Sequence, residues 1–291
     1  MNSKIAYIAS YPKSGNTWIR LILSNYFFSE FAPISLNKLR DHIASDTTNG
    51  FYSQYAKETK IEFKKIIDDY ILRNAALRSY LSKNPNTFLK THSAFHTLNN
   101  VSYFDPKITG IFIYIIRDPR DIVISSAYHN LGSFLFEKNK LGANGLVGDN
   151  ELQFIYEAMC NPNEWLESPS GIKTHLSAWD IHVNSFKQVS EKLHVIRYED
   201  LLLNTHECIN KLIIRIIGKS DLERVSTAIK HSTFLSLTED EENNGFNEKT
   251  TKYSNFFREG KSGGWRKYTN SDVFKKIENK FGSTMIEYGY L

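Results

Sequence analysis

Residues 8–18 read Ile-Ala-Ser-Tyr-Pro-Lys-Ser-Gly-Asn-Thr-Trp, and this stretch decides the fold. A short apolar run over Ile5–Ala9 predicts a strand that leads into a turn containing Pro12 and Gly15. An apolar helical pattern begins at once with Trp18. The first backbone N–H groups of a helix have no partner inside it, and the helix dipole places partial positive charge there. The stretch therefore predicts a phosphate-binding turn at a helix N-terminus.

The lysine of this turn stands in an unusual position for a nucleotide-binding loop. The nucleoside-triphosphate motif has two glycines, with the lysine directly after the second. Here Lys13 precedes Gly15, the single glycine of the turn, and no acidic residue stands nearby to hold Mg²⁺. Lys13 supplies a full positive charge, and Ser14 and Thr17 supply hydroxyl donors. An anion site of a different kind is favoured, with an incidental lysine in an ordinary strand–helix turn as the alternative.

Composition restricts the class of protein. The 291 residues suffice for one large domain or two small ones, and 41% of them are hydrophobic. The formal net charge of +4 suits an anionic small molecule and falls short of a nucleic-acid-binding signature. Cys160 and Cys208 have no metal-ligand spacing, which favours a reducing compartment, with a single disulfide between them as the alternative. No signal peptide or membrane-length apolar run is present, so the sequence predicts a cytoplasmic protein without membrane or nucleic-acid partners.

Strand-like and helix-like patterns alternate along the chain. Short apolar runs predict strands at Ile5–Ala9, Thr87–Lys90, Ile111–Ile116 and Leu193–Arg197. Helical periodicity predicts helices at Thr17–Phe28, Glu62–Leu81, Pro119–Tyr128 and Lys173–Lys192. The alternation predicts a single α/β domain over residues 1–291, with a central parallel sheet flanked by helices. Three segments fit the pattern poorly and are predicted to form variable walls or lids of a substrate pocket: 33–55, 131–171 and 239–267.

Lys90 and His92 lie at the end of a predicted strand, beside the first turn. An ordinary histidine has a pKa of about 6.5, so its neutral form can take a proton near neutral pH. A hydroxyl is a poor nucleophile until its proton is leaving, and His92 is therefore a candidate general base. A surface position is the alternative interpretation for this one of nine histidines.

Arg117 ends another predicted strand, and Pro119 suits the first turn of the helix that follows. Ser125 lies about two helical turns further on, so its hydroxyl is predicted to face the same pocket. An arginine fork with a hydroxyl suits a dianionic phosphate monoester. The alternative is a structural ion pair of Arg117 with Asp118 or Asp121.

Together these segments resemble the cytosolic-type sulfotransferases that use 3′-phosphoadenosine 5′-phosphosulfate (PAPS), including bacterial small-molecule enzymes. The resemblance extends over most of the chain and implies the P-loop-like sulfotransferase fold. Its matching segments, in the chain order of the family, are residues 11–18, 90–92, 113–125, 193–200, 231–234 and 258–265. The set is far more specific than any one of its members.

The resemblance also implies roles for individual residues. It implies four catalytic residues: His92 deprotonates the acceptor, Lys13 and Lys90 stabilise the transferring group, and Ser125 assists. The nucleotide-binding residues that it implies are Lys13, Ser14, Gly15, Asn16, Thr17, Trp18, Arg117, Ser125, Tyr198, Ser232, Phe234, Phe257, Arg258, Glu259 and Gly260. Glu259 stands where the family usually has a lysine, and its carboxylate is expected to point away from the phosphate.

The implied reaction is in-line transfer of a sulfuryl group from PAPS to a hydroxyl or amine of a small-molecule acceptor. The second product is 3′,5′-adenosine diphosphate (PAP), and no metal is expected to take part. Two alternatives stay open: a P-loop-type nucleotide kinase, and a non-catalytic nucleotide-binding protein. A homodimer is allowed, although the chain has no convincing match to the short C-terminal dimerisation motif of the family.

Overall fold

The computed structural model describes residues 4–29, 31–130, 147–168, 171–249, 255–268 and 271–291. Residues 131–146 and 169–170 of the predicted variable segment 131–171 lie outside these ranges. Residues 250–254 of segment 239–267 lie outside them as well. All six segments that carry the family resemblance are described.

Five parallel strands form the central sheet. Their spatial order is β2 (Ala44–Ser45), β3 (Phe88–Thr91), β1 (Ile5–Ser10), β6 (Thr109–Ile116) and β9 (Leu193–Arg197). β1 is central, with Ile8 opposite Lys90 on one side and opposite Ile113 on the other. The carboxyl ends of parallel strands meet at one edge of a sheet, so the turn after β1 lies beside the residues that follow β3 and β6.

Alternate side chains of the strands pack into two separate cores. Tyr7 of β1 and Phe112 of β6 belong to a large aromatic cluster with Trp179. Ile8 of β1 and Ile113 of β6 belong to a second, mostly aliphatic cluster. Successive strand residues point to opposite faces of a sheet. Both faces are therefore covered, as the continuous apolar character of the strands indicates.

Helices surround the sheet, and two short antiparallel hairpins lie outside it. The helices are α1 (Asn16–Phe28), α2 (Leu39–His42), α3 (Asn49–Thr59), α4 (Phe63–Asp68), α5 (Tyr70–Lys83), α6 (Pro119–Asn130), α7 (Asp149–Cys160), α8 (Trp179–Ser185), α9 (Tyr198–Leu203), α10 (Thr205–Ile217), α11 (Leu222–Lys230), α12 (Phe234–Asn244) and α13 (Val273–Glu287). Single 3₁₀ segments cover Leu36–Lys38, Phe186–Lys192 and Gly264–Lys267. The hairpins pair β4 (Thr97–Leu98) with β5 (Val101–Ser102) and β7 (Trp165–Glu167) with β8 (Lys173–His175). Within the described ranges, no helix combines the length and apolar character that a bilayer crossing requires.

The predicted α/β architecture is confirmed, and two of the predicted helices are wrong in detail. The pattern over Glu62–Leu81 is two helices, because Asp69 has an extended backbone (φ −113°, ψ 117°) and its carboxylate caps α5. Lys173–Lys192 begins as a strand of a hairpin, and its helix starts only at Trp179. Strand β2 was missed because its two residues lie in a polar stretch without a strand pattern.

Candidate functional site

A cavity of about 600 Å³ opens at the carboxyl edge of the sheet. The turn after β1, the ends of β3 and β6, helix α6 and the C-terminal segment Phe256–Lys261 all contribute to its wall. Of the predicted site residues, the wall contains Lys13, Gly15, Asn16, Thr17, Trp18, Lys90, His92, Arg117, Ser125, Tyr198, Phe234, Phe257, Arg258, Glu259 and Gly260. Ser14 and Ser232 are not in the wall. In the described part of the chain, no three His, Cys, Asp or Glu side chains converge as a metal site would need.

The turn between β1 and α1 has the geometry of an anion site. Gly15 is the N-cap of α1, with a left-handed φ of 99° and no side-chain cap hydrogen bond. A Cβ atom there would lie 2.5 Å from Cδ2 of Tyr198, so glycine is required by space as well as by φ. Ser14 Oγ is buried without a hydrogen-bond partner among the described residues. These features fit a phosphate at the N-terminus of the helix.

Lys13 lies in the cavity, and no carboxylate of the described residues is within ion-pair distance of its ammonium group, although the more distant Glu248 favours its charge. Its Nζ lies 4.2 Å from the ring centroid of Phe256, a cation–π contact. Burial, and then the positive charges of Lys90 and Arg117, lower the pKa of Lys13 from 10.5 to about 7. Three cations thus converge on one region, where an anion would relieve their repulsion.

His92 is presented as a neutral base. Its Nδ1 lies 2.8 Å from the backbone oxygen of Ser10. A carbonyl can only accept, so Nδ1 carries the proton and Nε2 keeps its lone pair. Burial, and then the nearby charge of Lys90, hold the pKa of His92 well below 6.5. His92 is partly buried in the cavity wall, which excludes the interpretation as an ordinary surface histidine.

Two further buried residues, His182 and Tyr114, form a hydrogen-bond chain to the backbone of His92, and no local sequence pattern marks either of them. His182 Nε2 donates to the His92 carbonyl oxygen at 3.1 Å. The Tyr114 hydroxyl donates to His182 Nδ1 at 2.7 Å. Burial lowers the pKa of His182 to about 3, so it is neutral and can donate and accept in this chain. This chain of hydrogen bonds fixes the backbone position of His92.

Arg117 joins the first turn to the C-terminal segment. Its guanidinium donates to the Lys13 carbonyl at 3.0 Å and to the Lys261 carbonyl at 3.2 Å. The ion-pair alternative is wrong for Asp118, which pairs with Arg120 at 2.8 Å. For Asp121 the alternative is confirmed at the outer limit of an ion pair, since its Oδ2 lies 4.0 Å from NH2 of Arg117. The Asp121 carboxylate also accepts from the N–H groups of Gly263 and Trp265. Two carbonyls therefore position Arg117, and this ion pair is long enough to leave the guanidinium able to bind an anion.

Arg258 enters the cavity opposite the first turn. Its guanidinium carbon lies 4.0 Å from the ring centroid of Tyr128 on α6. Glu259 does not turn away from this cation, because its Oε1 lies 2.7 Å from Arg258 and 3.2 Å from Lys267. A phosphate at Arg258 would compete with the Glu259 carboxylate. Gly260 has a φ of 59°, and a Cβ there would lie 2.3 Å from the ring of Phe234.

Aromatic side chains form the wall on the other side of the turn. The rings of Trp18 and Tyr198 meet edge to face, with centroids 6.1 Å apart. The Trp18 indole N–H donates to the Ser232 carbonyl at 2.8 Å, so Ser232 supports the wall from behind. The Asn16 amide donates to the Ile8 carbonyl and to Ser10 Oγ, and these bonds connect the turn to β1. The family resemblance implied that Asn16 binds the nucleotide, but its amide N–H donors are used within the protein.

The comparison with protein families decides the class of this site. A family model described as "Sulfotransferase domain" matches residues 5–289. The chain belongs to this family. The predicted family and enzyme class, a transferase of sulfuryl groups, are confirmed, and the nucleotide-kinase alternative is wrong.

Curated sulfotransferases are distant relatives of the chain. "Cytosolic sulfotransferase 1" of Arabidopsis thaliana is 22% identical over 283 residues, which are 93% of this chain and 75% of the plant protein. The 3-beta-hydroxysteroid sulfotransferase of Cavia porcellus is 26% identical over 204 residues, 67% of this chain and 62% of that protein.

Solved sulfotransferase structures have the same fold. Retinol dehydratase, in complex with androsterone and the inactive cofactor PAP, gives a TM-score of 0.61 at 18% identity, covering 97% of this chain and 80% of that chain. A mouse sulfotransferase complexed with PAP gives 0.57 at 15% identity, with 97% and 84% covered. The P-loop-like sulfotransferase fold, a parallel sheet flanked by helices in one domain, is thereby confirmed.

Proposed function

We propose that this sulfotransferase moves the sulfuryl group of PAPS to a hydroxyl or amine of a small-molecule acceptor and releases PAP. The observation that carries this is the presence of two cationic groups in one cavity. Lys13 and the N-terminus of α1 form the first, and Arg117, Ser125 and Arg258 form the second. A nucleotide with phosphates at both its 5′ and 3′ positions matches two such groups, and the PAP complexes of the structural relatives support the proposal.

The donor end of the cavity binds by charge and by stacking. The N–H groups of the turn and the Thr17 hydroxyl bind the 5′-phosphate, as helix N-termini bind anions. Arg117, Ser125 and the backbone of Gly260 bind the 3′-phosphate. The adenine stacks against aromatic side chains, namely Trp18, Tyr198, Phe234 and Phe257.

The reacting centre lies between His92 and the two lysines. Nε2 of His92 takes the proton of the acceptor hydroxyl as it attacks, because the other ring nitrogen is committed to the Ser10 carbonyl. Lys13 and Lys90 stabilise the negative charge of the transferring group and of the departing phosphate. Catalysis then comes mostly from positioning and from fixed positive charge, as in phosphoryl transfer.

The acceptor side of the cavity is apolar. Helix α7 packs on α6 and, with the β7–β8 hairpin, supplies a wall of Ile155, Ala158, Met159, Leu166 and Leu176. The hairpin is joined to the region of His92, because the Ala94 N–H donates to the His175 carbonyl at 2.8 Å. Apolar surface gains about 25 cal/mol per Å² on burial. An acceptor with a hydroxyl on an apolar body is therefore favoured over a sugar.

A screen with radiolabelled PAPS tests this function. We expect label transfer to phenols and hydroxysteroids rather than to sugars, unchanged by a chelator because lysines supply the positive charge. Replacing Leu166, a partly exposed residue of this wall, by Lys should raise the KM of the acceptor by roughly tenfold or more, the cost of about 1.5 kcal/mol of lost burial. Leu166→Met, which keeps the volume, is the control. No transfer to any acceptor, together with undisturbed PAP binding, would support a non-catalytic binding protein.

PAP binding should take up a proton at alkaline pH. In the protein without nucleotide the pKa of Lys13 is about 7, so most of the Lys13 side chains are neutral at about pH 8.5. The phosphates of PAP are already fully ionised at that pH. Bound phosphate restores the pKa of Lys13 toward its usual 10.5 and draws in about one proton. Calorimetry in two buffers of different ionisation enthalpy measures this uptake. Lys13→Arg, which stays charged, should reduce it, and equal enthalpies in both buffers would contradict the assignment.

We propose a cytoplasmic location for the protein. Two of its relatives are named cytosolic sulfotransferases, and Cys160 and Cys208 are both free thiols. Fractionation of source cells tests this location directly.

A further inference from the structure

Glu248 places a carboxylate among three cations beside the reacting centre. Its two oxygens lie 3.0 and 3.1 Å from NH1 of Arg20. They also lie 3.3 Å from Nε of Arg40 and 3.6 Å from Nζ of Lys90. Glu248 follows α12, whereas its partners belong to α1, α2 and β3. No sequence motif predicts this contact.

The contact is too deeply buried to be an ordinary surface ion pair. The side chains of Arg20 and Glu248 are 0% and 10% exposed, and that of Lys90 is 19% exposed. A buried charge is strongly unfavourable unless it is paired, so removal of one partner leaves the others uncompensated. Arg20 is further held by a hydrogen bond to the Ile43 carbonyl at 2.8 Å. Arg20 therefore anchors the carboxylate, and the carboxylate faces Lys90.

The charges around Lys90 make it dependent on this carboxylate. Arg20 and Arg40 on one side oppose its positive charge, and the buried Asp46 after β2 favours it. Lys90 in turn opposes protonation of Lys13, His92 and His129 across the cavity. Burial lowers the pKa of Lys90, and Glu248 is the foremost group that opposes this. Burial alone would raise the pKa of Glu248, but Lys90 and Arg20 outweigh it and hold that pKa at about 2.

We propose that Glu248 is a positioning residue for sulfuryl transfer, which holds Nζ of Lys90 at the reacting centre and supplies its counter-charge from the chain that follows α12. The inference rests on the proposed role of Lys90 in PAPS-dependent transfer. Glu248 itself need not touch either substrate. Lys90 is ready to receive negative charge in the transition state because the Glu248 carboxylate already fixes its place and keeps it protonated.

The test is the pH profile of kcat in Glu248→Gln, measured with the acceptor that the screen selects. Without the carboxylate the pKa of Lys90 falls further, so the alkaline limb should move about one unit or more to lower pH. At a pH above the alkaline limbs of both profiles, kcat of Glu248→Gln should be at least roughly tenfold lower than kcat of the wild type. PAP affinity should change less than kcat, because Glu248 pairs with Lys90 at 3.6 Å and acts on Lys13 only from a greater distance. Glu248→Asp, which keeps the charge, should restore the profile in part.

A readout without an acceptor follows the titration of Lys90 itself. ¹³C NMR of the reductively methylated protein reports lysine ionisation, and the Lys90 signal is the one missing in Lys90→Gln. Its midpoint should be lower in Glu248→Gln than in the wild type. Glu223→Gln, which changes an exposed carboxylate on α11, is the matched control and should leave profile and midpoint unchanged.

A double-mutant comparison separates this role from a merely structural one. In a Lys90→Gln background, Glu248→Gln should lower kcat no further, because the two residues act through one contact. An unshifted profile in Glu248→Gln, or additive losses in the double variant, would overturn the inference. Full activity of Lys90→Gln would remove its premise. Absence of PAPS-dependent transfer in the wild type would instead overturn the proposed function.

Discussion

Replacement of His92 by alanine is expected to lower kcat about 10²- to 10⁴-fold, the usual contribution of a positioned general base. PAP affinity should stay nearly unchanged, since the histidine faces the acceptor and not the phosphates. The physical reason is the fixed tautomer: the Ser10 carbonyl accepts from Nδ1, and only Nε2 is left to take a proton. Steady-state kinetics with the acceptor from the screen and calorimetry with PAP measure the two effects separately.

The pH dependence gives an independent check on the same residue. Burial and Lys90 hold the pKa of His92 well below 6.5, so the base stays neutral as the pH falls through that value. Protonation of His92 should therefore cause no fall in the kcat/KM of the wild type around pH 6.5. His206→Ala, at an exposed histidine on α10, is the matched control and should be fully active. Unimpaired turnover in His92→Ala would remove His92 from the mechanism.

Replacement of both Lys13 and Arg117 by alanine is expected to abolish tight binding of the nucleotide. A hydrogen bond to a charged group contributes about 1.5–3 kcal/mol, so losing two should weaken PAP binding by roughly 10²- to 10⁴-fold. The two losses should not simply add, because Arg117 also donates to the Lys13 carbonyl and to the Lys261 carbonyl. Equilibrium calorimetry with PAP on both single variants and the double variant measures each loss and their coupling.

A charge-matched variant separates local contacts from a general loss of positive charge. Lys211 and Arg215 lie on α10, away from the cavity wall, and their double replacement by alanine also removes one lysine and one arginine. PAP affinity should be nearly unchanged in that variant. Thermal unfolding of each protein without nucleotide shows whether its fold is intact. Wild-type affinity in a folded Lys13→Ala, Arg117→Ala protein would reject the two-group model of the nucleotide site.

The residues predicted from the sequence are those that local chemistry and strand order place together. Lys13, His92 and Arg117 each follow an apolar strand, Lys90 lies near the end of one, and parallel strands bring such ends to one edge. That rule needs no knowledge of side-chain packing. The resemblance in chain order then added the C-terminal segment, for which composition alone indicated only a loop.

The residues that were missed depend on contacts distant in sequence. Glu248 reaches Lys90 only because the chain that follows α12 packs against α1 and meets the buried Arg20. The chain from Tyr114 through His182 to His92 likewise joins three separate elements. No local pattern marks such residues, because tertiary packing alone decides their partners. The orientation of Glu259 toward Arg258 could not be read from the sequence for the same reason.

The central position of β1 has a consequence for synthesis on the ribosome. This strand leaves the exit tunnel before both of its neighbours in the sheet, β3 and β6, which are translated later. Until they follow, β1 is an unpaired apolar strand, a kind of segment that associates with other chains. The nucleotide cannot cover this interval, since its proposed second binding group includes Arg258 and Gly260, which are translated after β3 and β6. The exposure of β1 therefore ends with the synthesis of its neighbours and does not depend on PAP.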